Sequence, residues 1–280
     1  MASRSSRFVA ALVLEPARMV LGLWPRRDLI WQFTRRAVEM RHRGSRLGPL
    51  WALINPLSML ALYFFVFGHI YGTRFGSLHG ETELDFAVAL FLGLSLFHVF
   101  TEVLSQAPTA VLNQPNFVKK VVFPLEILPV AQVGAALFHF VAGLVLVVIG
   151  CAFGTGGVTW QLLQLPLLVL PLALLSLGVG WMLAAVGVFL RDIGQVTAFV
   201  ATALLFASAV MYPPTKIPAG FEWLRHNPLL QIVDLSRRTA LWHQPMPWDQ
   251  LAYVSGASVV IFAFGAITFS LLRKSFAEVI

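Results

Sequence analysis

The sequence predicts an all-α integral membrane protein with six transmembrane helices, an N-terminal amphipathic interfacial helix, and re-entrant or interfacial helices between spans five and six. Three observations lead there. Residues 127–190 contain no Asp, Glu, Lys or Arg; the run is too long for one soluble core element but fits two spans of roughly 20 residues joined by the Gly-rich CAFGTGG break. Hydrophobic residues make up 58% of the 280 and mean hydropathy is +0.78, which leaves too little polar surface to close around a soluble core. Charge-free runs recur at 47–73, 193–215 and 250–272, and at 86–118 with Glu102 as the one interruption. Runs this continuous count against a β-barrel, whose strands alternate over about ten residues.

The spans fall at about 50–70, 86–110, 126–149, 165–189, 194–212 and 250–272, between tails at 1–46 and 273–280. A net charge of +7 raises nucleic acid as a partner, but the basic residues report orientation instead. Fifteen of the twenty Lys and Arg lie before residue 47 or at Lys119, Lys120, Arg191, Arg273 and Lys274, on one side; Arg74, Lys216, Arg225, Arg237 and Arg238 take the other. With an even number of spans, that asymmetry puts both termini in the cytoplasm. The apolar stretch FVAALVL ends at Glu15 and is followed by Arg18, Arg26 and Arg27, a poor signal-peptide pattern, so residues 1–25 read as a cytoplasmic tail resting partly on the membrane. The single Cys151 forms no internal disulfide.

From Arg27 to Arg43, Leu29, Ile30, Phe33, Ala37, Val38 and Met40 recur at spacings of three and four, with Arg35, Arg36, Glu39, Arg41 and Arg43 mostly elsewhere on the wheel. Such a helix is too polar to span and suits the inner membrane surface, with Trp31 at headgroup depth and its arginines on anionic lipid, or packing on a soluble partner. Gly44 and Pro49 punctuate the turn into the first span, and Trp51 sits where an interfacial aromatic belongs.

Between spans two and three, Pro115 and Pro124 bracket a stretch with room for about two helical turns. Its Phe117 and Val118 beside Lys119 and Lys120 read either as a positive-inside loop or as a short helix that inserts apolar side chains into a soluble partner. Glu126, at the start of span three, has a lysine or the basic in-plane helix as possible partners. Asp192, in the very short link between spans four and five, is placed to cap the following helix. Met211-Tyr212-Pro213-Pro214 ends span five. The apolar stretches at about 218–226 and 228–241 are too short to cross, and fit a re-entrant or interfacial pair. Asp234 with Arg237 or Arg238 has helical pair spacing, and all three read as solvated charge.

Glu102 is the one acid clearly inside a span, a functional candidate by default, yet one acid does not make a proton relay. His139 on its apolar stretch reads as satisfied by a helix–helix hydrogen bond. Neither a phosphate-binding G-x-x-x-x-G-K-[S/T] loop nor H-E-x-x-H or G-x-S-x-G occurs, and the histidines show no metal-ligand cluster. Catalytic residues and metal ligands are therefore not expected on this chain.

The segments RHRGSRLGPLWALINP, QPNFVKKVVFPLEILPVA and RDIGQVTAFVATALLFASAVMYPP, with NPL at 227–229, together resemble ABC-2 type permeases that export lipid-linked polysaccharides such as O-antigen, capsule, teichoic acid and mycobacterial galactan. The likeness runs from about Arg26 to the final FAEVI. It implies a homodimer with two ATP-binding subunits that hold ATP and Mg, no cofactor on this chain, and an undecaprenyl- or polyprenyl-diphosphate-linked polysaccharide as cargo in the bacterial inner membrane. It assigns coupling to Arg35, Arg36, Arg41, Asn116, Phe117, Val118, Lys119 and Lys120. The lipid-headgroup interface falls to Arg43, Arg46 and Trp51. The channel or gate falls to Glu102 and to Tyr212, Phe221, Trp223 and Trp242, whose rings tolerate sugars sliding past. An ABC-2 exporter of a drug, lipid or small molecule, and a membrane-embedded glycan-modifying enzyme, are the competing readings.

Overall fold

The computed structural model describes residues 15–41, 48–76, 81–119, 123–154 and 157–280. Among them the secondary structure is helical, with no strand. A short helix at 15–21 and a tight turn, Trp24–Arg26, lead into α1, Arg27–Arg41. The first long apolar helix is α2, Trp51–Tyr63, with Pro56 inside it, continued by a wider π-helical segment, Phe64–Ile70. Next come α3, Glu83–Gln106, the short α4, Pro115–Lys119, and α5, Ile127–Phe153. The chain ends with α6, Leu165–Phe189, α7, Ile193–Ala207, α8, Pro228–Ala240, α9, Trp248–Leu272, and a last turn α10, Phe276–Val279. Five apolar helices are long enough to cross a bilayer among the described residues: Leu53–Ile70, Glu83–Thr109, Ile127–Phe153, Trp160–Phe189 and Trp248–Val279.

Local chemistry sets several of these boundaries. At the start of α3 the Asp85 N–H donates to Thr82 Oγ1 at 3.2 Å, and the Thr82 N–H donates to Asp85 Oδ2 at 3.0 Å. This reciprocal pair satisfies amides that a helix leaves open at its first turn. At α8 the Leu229 N–H donates to Asn227 Oδ1 at 3.0 Å and Pro228 takes the first helical position, where its missing N–H costs nothing. Asp192 departs from expectation. It stands before α7, but its backbone is already helical and its side chain makes no cap bond; a cap needs extended backbone to swing the carboxylate over the open amides.

Helix α3 is the centre of the bundle: Phe86, Ala89, Leu90, Leu92, Leu96 and Val103 are fully buried, against α5, α6, α7 and α8. Glycine lets the neighbours close in. Gly178 of α6 and Gly265 of α9 meet backbone to backbone, so a Cβ on either would collide with the other helix. Helix contact in lipid relies on such small-residue approach. The α1 helix packs lengthwise along the first half of α5 and in the same direction. Arg26 pairs with Glu126, Thr34 fills the space a Cβ on Gly134 would need, and Arg41 reaches His139.

The fifth apolar helix, expected at 194–212, stops at Ala207. At 15 residues it rises about 22 Å, less than the roughly 30 Å hydrocarbon core. The cause lies in α8. Arg237, expected to be solvated, is 1% exposed. Its guanidinium donates to Ala89 O of α3 at 2.8 Å, to Ala209 O at 3.1 Å and to Val210 O. It also sits 4.3 Å over the Phe75 ring. The two carbonyls it takes from 209–210 face inward because Ala209 adopts a left-handed φ of 48°, which ends the α7 ladder. Asn227 Nδ2 adds a bond to Ser208 Oγ at 3.1 Å. Gly93 leaves the room: a Cβ there would overlap the guanidinium.

Arg237→Ala is expected to destabilise the fold by about 3–5 kcal/mol, because it strands the buried carbonyls of Ala209 and Val210 and opens a void. Arg237→Lys should recover only part, since an ammonium cannot reproduce the planar fork. Thermal unfolding of the detergent-purified protein checks the order native, Lys, Ala; equal stability of all three would refute the role assigned to this side chain.

Candidate functional site

A cavity of about 600 Å³ lies where α1 ends beside α2, α3 and α5. Trp51, Asn55 and Met59 of α2 form one wall, Ala136, Phe140 and Gly143 of α5 another, and Ala201 of α7 closes part of a third. Polar groups gather on the remaining wall: His98, Glu102, Ser105 and Gln106 from α3, His139 from α5, and Arg41 from the last residue of α1. Periodicity explains the α3 set, because 98, 102 and 105–106 recur at helical spacing and share a face.

Glu102 lines this cavity and also pairs across helices. Arg41 Nη1 is in ion-pair contact with its Oε1, and His139 Nδ1 lies 3.2 Å from its Oε2. The Arg41 Nη1 is also 3.2 Å from His139 Nδ1. Three helices distant in sequence thus meet through one charged cluster, with the Glu102 side chain 11% exposed and that of Arg41 42%.

A second charged cluster lies at the foot of α5. The Glu126 side chain, 5% exposed, takes Arg26 Nη1 on Oε1 at 2.7 Å and Arg273 Nη1 on Oε2 at 3.4 Å. Its backbone carbonyl accepts Trp181 Nε1–H at 3.1 Å. Lys274 reaches Glu15 at 2.9 Å, and α10 packs against α4 and α6. The start of the described chain, the segment around α4 and the last residues therefore share one end of the bundle.

At that end Phe117 turns toward its own chain. Its ring stacks on Phe123 at 4.4 Å and meets Phe33 of α1 edge-on at 5.7 Å. Val118 is partly buried, whereas Asn116 and Lys119 are exposed, as are Arg35 and Arg36 on the outer face of α1. Arg35 is held by Glu39 at 2.7 Å. Lys120, Arg43 and Arg46 lie outside the described residues; Trp51 lines the cavity.

The opposite end holds the four aromatics, in two pairs. Phe221 and Trp223 are exposed, at 53% and 65%. Tyr212 and Trp242 are part-buried: the Tyr212 hydroxyl donates to Phe206 O at 2.6 Å, and the Trp242 ring is 6.0 Å from Phe75. Arg238 pairs with Asp234 at 4.0 Å and binds Gln244 at 2.9 Å. Burial pushes the Asp234 carboxyl up from the ordinary aspartate range, against the pull of Arg237 and Arg238.

The sequence offers the basic in-plane helix as a partner of Glu126, and Arg26 stands just before its first residue; sequence reasoning missed Arg273 there, and missed Arg41 as the partner of Glu102. Sequence separations of 147 and 61 residues carry no local signal. Among the described residues, no three or more His, Cys, Asp or Glu side chains group to hold a metal.

A family profile described as ABC-2 type transporter matches residues 28–241. The O-antigen export system permease protein RfbA of Myxococcus xanthus is 27% identical over 265 residues, 93% of this chain and 98% of that one. The polysialic acid transport protein KpsM of Escherichia coli is 28% identical over 209 residues, covering 74% and 78%. The inner membrane transport permease YadH of Escherichia coli K12 is 28% identical over 242 residues, covering 83% and 91%. The matched segment takes in the α1 platform, the charged cavity and the Arg237 lock, and the chain belongs to the ABC-2 type transporter family.

Proposed function

We propose that this chain is the membrane-spanning permease of an ATP-driven exporter whose cargo is a lipid-linked polysaccharide, of O-antigen or a related cell-surface type. The observation that carries the reading is the likeness to an O-antigen export permease over 93% of this chain. In this reading the short α7 completes six spans, α8 and the turn at Glu222–His226 form the interfacial or re-entrant pair on the outer side, and both termini lie in the cytoplasm of a bacterial inner membrane. Two copies stand face to face, each with an ATP-binding subunit that holds ATP and Mg.

Several features support it. The elements at the Glu126 end carry the basic excess that marks a cytoplasmic face. Of the predicted coupling residues, Arg35, Arg36, Asn116 and Lys119 are exposed there, open to an ATPase. Phe117 and Val118 take a supporting role: the stack of Phe33, Phe117 and Phe123 makes α1 and α4 one body. Arg41, at the far end of α1, carries displacement of that body to the cavity. Glu102 and Trp51 line the path there, and Arg43 and Arg46, which follow α1 in the sequence, are assigned to a lipid headgroup. Phe221 and Trp223 offer open rings to passing sugars, with Tyr212 and Trp242 behind them.

A second reading, export of a small molecule or lipid, draws on the likeness to YadH and on a cavity within the size range of small-molecule sites. Reconstitution with the partner ATPase separates the two. Transport of lipid-linked glycan with stimulation of ATP hydrolysis is expected, and stimulation by small amphiphiles alone would overturn the glycan assignment.

Reversing charge at the docking face, Asn116→Asp with Lys119→Glu, should cut glycan export at least about tenfold while membrane insertion is retained, since like-charge contacts penalise docking by kcal/mol amounts. Undiminished export by the double variant would remove α4 from the coupling surface. Replacing Phe221 and Trp223 by Ala should slow long glycans more than a short lipid-linked oligosaccharide. Equal slowing, measured by transport into proteoliposomes, would leave these rings as interfacial anchors.

A further inference from the structure

We propose that Glu102 is a resident anion: its carboxylate occupies the place on Arg41 and His139 that a diphosphate headgroup takes, so loading of the cavity is an exchange of one anion for another. The inference rests on the polyprenyl-diphosphate reading above and adds a residue that governs it. Among the described residues, the cavity wall holds, apart from Arg41 and Glu102, two imidazoles, a few neutral polar groups and apolar side chains. A guanidinium facing such walls needs a counter-charge, and Glu102 supplies it.

The geometry of that pairing is one of compromise. His139 Nδ1 is 3.2 Å from Glu102 Oε2 and 3.2 Å from Arg41 Nη1. One ring nitrogen either donates or accepts. With a proton on Nδ1 it donates to Glu102 and sets N–H against the guanidinium; without one it accepts from Arg41 and turns its lone pair on the carboxylate. One of the two contacts is always unfavourable.

Glu126 shows the contrast. Each of its oxygens has its own arginine, both reaching it from outside α5, and no third group competes. That carboxylate is built to stay. A diphosphate, with oxygens on two phosphorus centres, accepts from the Arg41 fork and from a protonated His139 at different atoms, which removes the conflict. The displaced Glu102 has a partner in reach, since Gln106 Nε2 lies 3.5 Å from its Oε1 one turn along the helix. Arg41, at the end of α1 with its side chain 42% exposed, is free to follow the incoming group.

The test uses the full chain in nanodiscs of zwitterionic phosphatidylcholine, titrated with undecaprenyl diphosphate, inorganic pyrophosphate or phosphatidylglycerol. Glu102→Gln is expected to tighten undecaprenyl diphosphate binding about tenfold, and Arg41→Gln to weaken it by at least as much, in line with loss or gain of one charge-assisted contact. Pyrophosphate should follow the same order at lower affinity. Should Glu102→Gln not fold, Glu102→Asp, whose carboxylate is drawn back by one methylene, should still tighten binding several-fold. Native protein that binds the diphosphate with no gain in the Glu102 variants would overturn the exchange and leave the glycan reading standing. No binding of either diphosphate by any variant would remove the diphosphate reading itself, and the exchange with it. An equal gain for phosphatidylglycerol would make the site one for bulk anionic lipid and overturn the assignment to diphosphate.

Discussion

An ionised side chain inside an apolar bundle must be matched by charge or by oriented backbone, and this requirement organises the molecule at three heights. At one end Glu126 is matched by Arg26 and Arg273. Midway Glu102 is matched by Arg41 and shared with His139. Toward the other end Arg237 has no carboxylate within contact distance and is matched by three carbonyls. In each case the partner comes from a different helix, so each pairing also fixes where two elements stand. Desolvation makes a mismatch costly by several kcal/mol.

The three differ in how completely the match is made, and the difference tracks what each part of a transporter has to do. The Glu126 cluster joins the beginning of the described chain to its end and has every oxygen assigned; it is a base. Arg237 binds α8 to α3 and to the broken backbone after α7 through a planar fork with fixed acceptors; it is a pin that holds α8 in place. Glu102 shares one imidazole with a competing cation. Of the three sites, it alone has one imidazole nitrogen placed 3.2 Å from both a carboxylate and a guanidinium.

Five of the six expected spans were legible in the sequence because charge exclusion over twenty residues is a local property, and so was a short helix over Pro228–Ala240, whose apolar stretch is bounded locally, whereas 222–226 forms only a tight turn. The positions of charges in space were not. Arg237 and Arg238 are neighbours with the same chemistry, yet one is 1% exposed and the other pairs at the rim; the acceptors that separate their fates stand 28 and 148 residues away. The early end of α7 at Ala207 follows from the same long-range capture of its carbonyls, which outweighs an apolar composition that would continue to 212. Phe117, beside Lys119, is open in the sequence to a positive-inside loop or to insertion into a soluble partner; the rings that claim it, Phe33 and Phe123, come from α1 and from the loop before α5.

Helix α1 ties these observations into one mechanical argument. Its amphipathic pattern fits a membrane surface equally well, but the structure lays it lengthwise on α5, with contacts at 26, 34 and 41 that advance together with 126, 134 and 139. A rod of 15 residues is about 22 Å long. One half carries Phe33, packed edge-on against the ring of Phe117, and the far end carries Arg41, which pairs with Glu102, the one carboxylate lining the cavity among the described residues. At Thr34 the rod sits close against Gly134, where a Cβ would overlap the threonine side chain, so it is seated on α5 between its two charged ends. The wall opposite is made by α2 and α7, which leave Leu57, Met59, Leu62 and Phe65, and Val196, Phe199 and Phe206, uncovered. The cavity's charged side is thus linked to the base through α1, and its other side is formed by two helices that keep large apolar side chains exposed.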